Sequence, residues 1–329
     1  MEQKSPKVSV IVPCYNGGWC VARLLNSILA QTYDNIELIF VNDGSTDDTE
    51  AVFDSICPAL EARGIAVRYI AQANRGLGGA IDTGLANISG EFFCWPDADD
   101  SLEPDSIAAR VAVFAAHPHA GVVSSAANIK HPDNPSISDS ILRDAMPDAD
   151  HQTLFRRLLQ AEGLFCSGCH MARTEAFFAA NGRMGIYPAR RGQNWQLLLP
   201  LYYHFDRVYL DRPLYNNYIY NASMSHTDNS YEKRLYRAKE HENIICSTLS
   251  EIVMSDAPRE MYSKVAKTEG ARRRLELANA YGKKADAREA YLFLAAQHAA
   301  SARDRFMCYT TGSRCVASLR KLRRKLLRR

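Results

Sequence analysis

Four short apolar runs, each followed by a stretch with helical spacing, fill the first hundred residues and leave few architectures open. Val8-Ser-Val-Ile-Val12 is β-branched and nearly all apolar, as expected of a strand buried on both faces. Pro13 is expected to stop it. Val21 to Gln31 carries apolar residues at helical spacing. Glu37-Leu-Ile-Phe-Val41 reads as a second buried strand, and Thr46 to Cys57 as a helix after the Asp43-Gly44-Ser45 turn. Val67-Arg-Tyr-Ile70, a helix over Leu77 to Asn87, and a fourth strand over Glu91 to Trp95 complete the series. Strands that alternate with helices imply an α/β fold, a mostly parallel sheet with helices on both faces.

The middle of the chain is less regular. Ser106 to His117 reads as a helix, Val122 to Ser125 as a strand, His131 to Asp150 as a surface loop and Leu154 to Ala161 as a helix. Val208-Tyr-Leu210 and Leu214 to Tyr220 read as two strands flanking Pro213. From Ser230 onward the pattern is helical, punctuated by Pro258, Gly270 and Gly282. This gives a domain over residues 1–225, a helical region over 226–315 and a basic amphipathic tail over 316–329.

Composition removes several classes. A hydrophobic fraction of 47% with 23% charged residues is ordinary for a soluble domain. No long apolar run predicts a membrane-spanning helix, and Met1 to Lys7 lacks the apolar core of a signal peptide. Nine scattered cysteines, an odd count, suit a reducing cytoplasm. Cys166-Ser-Gly-Cys169 has no second pair at zinc-site spacing and reads as two small core residues. The net charge of +3 conceals an asymmetry. Arg320 to Arg329 hold seven Lys and Arg, and the remainder carries 33 basic against 37 acidic residues. A basic body would have suggested nucleic acid; with a mildly acidic body no nucleic-acid partner is expected, and the basic tail points to a local electrostatic contact.

Ligands of open α/β sheets bind outside the carboxyl ends of the strands. Three such ends carry suggestive residues: Pro13-Cys-Tyr15-Asn16, Asn42-Asp43-Gly44-Ser45 and Asp97-Ala98-Asp99-Asp100. An aromatic ring stacks on a base, and a carboxylate accepts from a base N–H or a ribose hydroxyl. Hard oxygen ligands massed where a buried strand opens into a loop suit a divalent cation, Mg²⁺ or Mn²⁺. A solvated acidic turn capping the next helix is the competing account. Gly76-Leu-Gly78-Gly79 follows the third strand, whereas a dinucleotide fingerprint belongs in the first βα turn. A turn that lets backbone approach a nucleotide, helped by Arg75, and plain helix-entry glycines both fit it.

The blocks Val8 to Asn16, Gln31 to Thr49, Asn74-Arg-Gly76 and Gly90 to Asp100, in this order and spacing, resemble family 2 glycosyltransferases, including bacterial cell-surface polysaccharide and lipopolysaccharide enzymes. The resemblance is close over the first hundred residues and looser to about Ser225. It implies a GT-A fold, an inverting reaction and a nucleotide-sugar donor, usually a UDP-sugar. It assigns Asp43 to the uracil–ribose part, Pro13 and Tyr15 to the base, and Asp97 and Asp99 to a DxD motif, with the metal held mainly by Asp99. Asn16, Arg75, Gly76 and Ala98 join the nucleotide-binding candidates. His226 is a candidate metal or phosphate ligand.

Two departures stand out. Many relatives place Glu-Asp before an apolar helix, with that Asp as base; here the stretch reads Gln193-Asn194-Trp195, and amides are not bases near neutral pH. Asp139, Asp144, Glu162 or His170 is then a substitute base, or Gln193, Asn194 and Trp195 line the acceptor site while the proton leaves late. A sugar-nucleotide-binding subunit without turnover is the third account, and a nucleotidyltransferase the rival enzyme. Second, Ala80-Ile-Asp82 stands where relatives often carry Ala-Arg-Asn. Val316, Leu319, Leu322 and Leu326 would form an apolar stripe among basic residues, as in a helix lying on an anionic membrane. The expected protein is cytoplasmic, peripheral at the plasma membrane, acting on a glycan or lipid-linked acceptor.

Overall fold

The structure is a computed structural model that describes residues 5–182, 185–220 and 230–313. Its contacts separate two compact units. One holds the described residues up to 220 with 247–254; the other holds 230–246 and 255–313.

The first unit alternates β1 (Val8–Cys14), α1 (Val21–Leu29), β2 (Ile36–Asn42), α2 (Thr49–Ala62), β3 (Ala66–Ala71), α3 (Gly76–Leu85) and β4 (Phe92–Cys94). Then follow β5 (Ser101–Leu102), α4 (Ser106–Ala116), β6 (Ala120–Lys130), β7 (Ser140–Leu142) and α5 (His151–Leu159). A 3₁₀ turn over Ser167–Cys169 leads into β8 (His170–Arg173), α6 (Thr174–Ala180), α7 (Gln193–His204) and β9 (Asp206–Tyr218). The strands form one sheet in the order β3-β2-β1-β4-β8-β6-β9-β5, with β7 paired to β6. Strands β1 to β4, β6 and β9 run one way; the short β5, β7 and β8 run the other. The carboxyl ends of β1, β2 and β4 therefore share one edge, with the turn that opens β8 beside them.

All seven residues of β1 and all seven of β2 are buried, which explains their apolar runs. Helix α1 covers them with Val21, Leu24, Leu25 and Ile28, a single stripe at helical spacing. Strand β3, at the sheet edge, alternates in exposure instead.

Pro13 does not stop β1. It pairs with Val41 of β2, whereas the pairing with β4 ends at Val10. Past that point β1 has one neighbour, so a missing N–H costs little. Pro213 is likewise absorbed. The two expected strands are one, β9, whose register against β6 jumps from Leu210 to Pro213 across a bulge.

In the helical run, α8 (Tyr231–Glu251), α9 (Asp256–Tyr281), α10 (Lys284–Ala296) and α11 (Ala302–Thr310) follow. Tyr231, Ala271, Leu275, Ala278, Ala287, Ala290 and Leu294 form the core of the second unit. Gly282 ends α9 with φ 70°. Pro258 sits in the first turn of α9, where its missing N–H is harmless. Gly270 does not interrupt α9; a Cβ there would lie 2.2 Å from the Glu242 carboxylate, so its smallness serves packing. No helix among the described residues is long and apolar enough to cross a membrane.

Helix α3 reaches the sheet through Gly84, where a Cβ would lie 2.3 Å from a methyl of the fully buried Ile11. Gly84→Ala would gain up to about 1 kcal/mol of helix propensity but overpack this contact by roughly 1–3 kcal/mol. We expect a net loss of stability in urea unfolding; a variant more stable than the parent contradicts this packing.

Candidate active site

The loop after β1 is sewn to the loop after β2. The Asn16 amide N–H donates to Ser45 Oγ (2.9 Å), and Asn16 Oδ1 accepts from the Thr46 N–H (2.8 Å). Asn16 adopts φ 51°, a conformation asparagine tolerates. Gly17 N–H donates to Thr49 Oγ1 (2.9 Å) and Gly18 N–H to Asp47 (3.0 Å). Pro13 is buried and Tyr15 is 55% exposed, so a ring surface stands open at this strand end.

Asp43, 3% exposed, is fixed by its surroundings. Its N–H donates to the Cys14 carbonyl (2.8 Å). Its Oδ1 accepts from Gln72 Nε2 (2.7 Å) and the Arg75 N–H (2.9 Å). Its Oδ2 accepts no hydrogen bond from the described residues. The backbone of Arg75 thus serves Asp43, while its guanidinium pairs with Asp82 (3.3 Å). Gly76 needs its glycine for φ 75° and for Ala189, whose carbonyl a Cβ would meet at 3.1 Å. A Cβ on Gly78 would meet the Tyr187 carbonyl at 2.2 Å. These glycines admit the 187–189 backbone.

Beyond β4 three carboxylates crowd one turn. Asp100, 1% exposed, accepts from Tyr215 Oη (2.8 Å), Asn217 Nδ2 (2.9 Å) and the Tyr218 N–H (2.8 Å). Burial, then the charges of Asp99 and Asp97, push its pKa well up. Asp97 accepts from Ser167 Oγ (2.5 Å) and, at 3.4 Å, from Gln193 Nε2. Burial and the charge of Asp99 raise it to about 7, against the Ser167 hydrogen bond. Asp99 is raised by burial, and Arg23 partly offsets this. The Arg23 guanidinium donates to the Asp99 carbonyl (2.9 Å). Ala98, between the two, is half-buried. Among the described residues no three His, Cys, Asp or Glu side chains converge as a ready metal site.

Helix α7 begins at this cluster. Ten of its twelve residues are buried, so side chains of its first turn point into protein. Gln193 faces Asp97. Asn194 Oδ1 accepts from the Trp95 indole N–H (2.8 Å), and its amide donates to the Phe165 carbonyl. The Trp195 indole donates to the Leu158 carbonyl (2.8 Å). Of the three acceptor-site candidates, the structure brings Gln193 alone against a carboxylate.

The substitute-base candidates are engaged elsewhere. His170 is fully buried, with Nδ1 2.8 Å from Ser124 Oγ and Nε2 2.9 Å from the Leu164 carbonyl. Burial lowers its pKa to about 3, so it stays neutral. Asp144 is ion-paired to Arg207 and Arg157. Asp139 lies 3.4 Å from His131, and Glu162 lies 3.9 Å from Arg157. His226 and residues 316–329 lie outside the described residues.

Four contributors were not singled out in the sequence. Gln72 directly follows the third strand, so the strand-end rule would have reached it. Ser167 reaches Asp97 only because β8 inserts beside β4, and no local pattern announces that. Tyr215 Oη accepts from the Asp97 N–H (3.1 Å) while donating to Asp100. Arg23 looks in sequence like the solvent face of α1.

The raised pKa of Asp97 has a thermodynamic sign. Between the ordinary carboxylate value near 4 and about 7 the folded chain holds a proton that the unfolded chain has lost. This group therefore reduces stability as pH rises through that window. Asp97→Asn keeps an acceptor for Ser167 and removes the charge. It should stabilise the protein at pH 8 by roughly 1–3 kcal/mol, less at pH 5, and not at all near pH 3. Urea unfolding at the three pH values reads this; a gain independent of pH would contradict the assigned environment.

Comparison with known proteins bears on the family and the fold. The model of glycosyl transferase family 2 matches residues 9–178, just over half of the chain. An uncharacterized glycosyltransferase of Rickettsia prowazekii (strain Madrid E) is 39% identical over 114 residues, 33% of this chain and 32% of that protein. Glycosyltransferase GlyA of Streptococcus pneumoniae serotype 4 is 43% identical over 101 residues, 31% of this chain and 14% of that one. The matched segment thus spans a third or less of these relatives. Among solved structures, S. aureus TarS 1–349 in complex with UDP-GlcNAc superposes with a TM-score of 0.62 at 15% identity, over 95% of this chain and 92% of that one. That likeness concerns the fold, which is GT-A. With the family model covering half the chain, the protein belongs to glycosyl transferase family 2.

Proposed function

We propose that the chain transfers a sugar from a nucleotide-sugar, a UDP-sugar, to a hydroxyl of a glycan or lipid-linked acceptor, with inversion at the anomeric carbon. The observation that carries this is the sharing of one sheet edge by Asp43, with an open Oδ2, and the Asp97–Asp99 pair. Asp43 accepts from the uracil–ribose part, Tyr15 stacks on the base beside Pro13, and Asn16, Arg75, Gly76 and Ala98 frame the nucleotide through backbone.

The donor set fits a hard divalent cation: Asp99 and Asp97 are hard oxygen ligands, raised in pKa by burial and, for Asp97, also by the charge of Asp99. One or two carboxylates with substrate phosphates is how Mg²⁺ is usually held. Mg²⁺ or Mn²⁺ on Asp99, assisted by Asp97, would supply positive charge for the departing diphosphate; His226 is a further proposed ligand.

The acceptor oxygen bonds to the anomeric carbon as the bond from that carbon to the diphosphate oxygen breaks. The electron pair leaves with the nucleoside diphosphate, through an oxocarbenium-like state. Gln193 orients the acceptor, and the hydroxyl proton leaves late, to water. Asn194 supports this wall by holding Trp95. Binding without turnover is the second reading, favoured by the amides at 193 and 194.

The family resemblance and the tail sequence support a role in cell-surface polysaccharide synthesis at the cytoplasmic face of the plasma membrane, with residues 316–329 contacting anionic lipid. They also support the division into a GT-A domain over 1–225, a helical region over 226–315 and that tail.

Calorimetry with UDP tests the donor site. Asp43→Ala should weaken UDP by roughly 1–3 kcal/mol, the usual scale for a charge-assisted hydrogen bond; an unchanged affinity would reduce Asp43 to a loop anchor. Asp99→Asn should abolish transfer in Mg²⁺ or Mn²⁺ while the unfolding profile stays that of a folded protein. Full activity in that variant would remove Asp99 from the site. Turnover by the parent with a panel of nucleotide-sugars separates transfer from binding alone.

A further inference from the structure

Trp19 is 63% exposed, whereas the other tryptophans, Trp95 and Trp195, are 1% and 6% exposed. Exposing a large apolar ring forgoes burial worth a few kcal/mol, so its setting matters. The backbone beneath it is fixed. Gly17 and Gly18 donate to Thr49 and Asp47, and the N–H groups of Cys20 (3.0 Å) and Val21 (2.9 Å) donate to the Gly17 carbonyl. A Cβ on Gly18 would lie 1.8 Å from Asp48 Oδ1, so the loop sits hard against the start of α2.

The indole meets Tyr220 edge to face, with ring centroids 4.8 Å apart. Tyr220 Oη lies 3.4 Å from the Asp99 carbonyl and accepts from Arg23. The Arg23 guanidinium lies 4.0 Å from the Tyr218 ring centroid and donates to that same Asp99 carbonyl. An exposed, pre-positioned aromatic surface is thus tied through two side chains to the backbone of the proposed metal-binding aspartate.

We propose that Trp19, steadied by Tyr220, is a stacking platform for a pyranose ring of the acceptor saccharide. The ligand class is a β-linked gluco- or galacto-configured pyranoside, which presents several axial C–H bonds on one face. Such a face covers the indole while hydroxyls at its rim remain in water or reach Arg23. An indole this exposed and held at one contact suits a ring that arrives from solvent and leaves again. The inference rests on the transferase reading of the neighbouring carboxylates and adds the class of acceptor.

The full chain, with UDP present, is titrated with cellotetraose, N-acetylchitotetraose and lactose at millimolar concentrations while tryptophan fluorescence is followed. A saturable change in the parent that is lost in Trp19→Ala reports Trp19. Saturation-transfer NMR with the same saccharides compares Trp19→Ala with Trp19→Phe. We expect a saturable change with at least one saccharide, about tenfold weaker binding in Trp19→Ala, and near-parental binding in Trp19→Phe. Absence of a saturable change with all three, or equal binding by Trp19→Ala, overturns the platform. A UDP-sugar that perturbs Trp19 beyond UDP alone, with no effect of free saccharides, overturns its assignment to the acceptor. Calorimetry of UDP keeps the two readings apart: UDP binding to parent and Trp19→Ala alike leaves the donor site standing whichever way the saccharide result falls, and no UDP binding to the parent fails the donor reading by itself.

Discussion

The clamp on Asp100 holds the site together. A carboxylate 1% exposed is tolerable only with several donors aimed at it, and β9 supplies three, from Tyr215, Asn217 and Tyr218. The same Tyr215 hydroxyl accepts from the Asp97 N–H, so one phenol fixes both ends of the acidic turn. Tyr215 is itself seated by Gly168, where a Cβ would lie 1.9 Å from the ring. The Gly168 carbonyl accepts from the fully buried Arg110 (2.8 Å). That places Ser167, the next residue back, against Asp97. A strand, a glycine and a buried cation thus converge on two carboxylates, β9 by donating to Asp100 directly and the other two from behind.

Much of this was legible in the sequence where the cause is local. The buried runs of β1 and β2, the helical stripe Val21, Leu24, Leu25, Ile28 and the polar residues after each strand are adjacent in the chain, so their pattern survives in one dimension. Asp43 and Asp97 stood out because they follow apolar strands at their carboxyl ends, where ligands of open α/β sheets bind. The prolines misled because their effect depends on neighbours. Pro13 is harmless only because β4 ends at Cys94, and Pro213 only because β9 bulges. Neither fact is written near the proline. Strand β8 was invisible for the same reason: four residues wedged between β4 and β6 owe their conformation to partners far away in sequence.

Gln193-Asn194-Trp195 shows the limit of reading chemistry by position. In the sequence the three form one motif at a helix start. In the structure their side chains diverge, to Asp97, to Trp95 with Phe165, and to Leu158. A buried amide pairs a donor with an acceptor, and an isosteric carboxylate lacks the donor. Asn194 uses both, between an indole N–H and a carbonyl, so an aspartate there would set charge against the Phe165 oxygen. The amide at this position therefore has a structural reason independent of proton transfer.

The same reasoning bears on why the acidic turn stays poised. Like charges crowded into one turn repel one another, and burial adds to that. The donors are unevenly shared: Asp100 receives three, Asp97 receives Ser167 and the longer Gln193 contact, and Asp99 has Arg23 nearby but directed to its backbone carbonyl. The fold thus gives most of its donors to the innermost carboxylate, which does structural duty although burial and its neighbours still push its pKa well up, and gives fewer to the two that precede it. Burial, with the charge of Asp99 added to it, raises Asp97 to about 7. This arrangement makes the loop weaker as a piece of structure and stronger as a receptor for positive charge, with both properties arising from the same buried carboxylates.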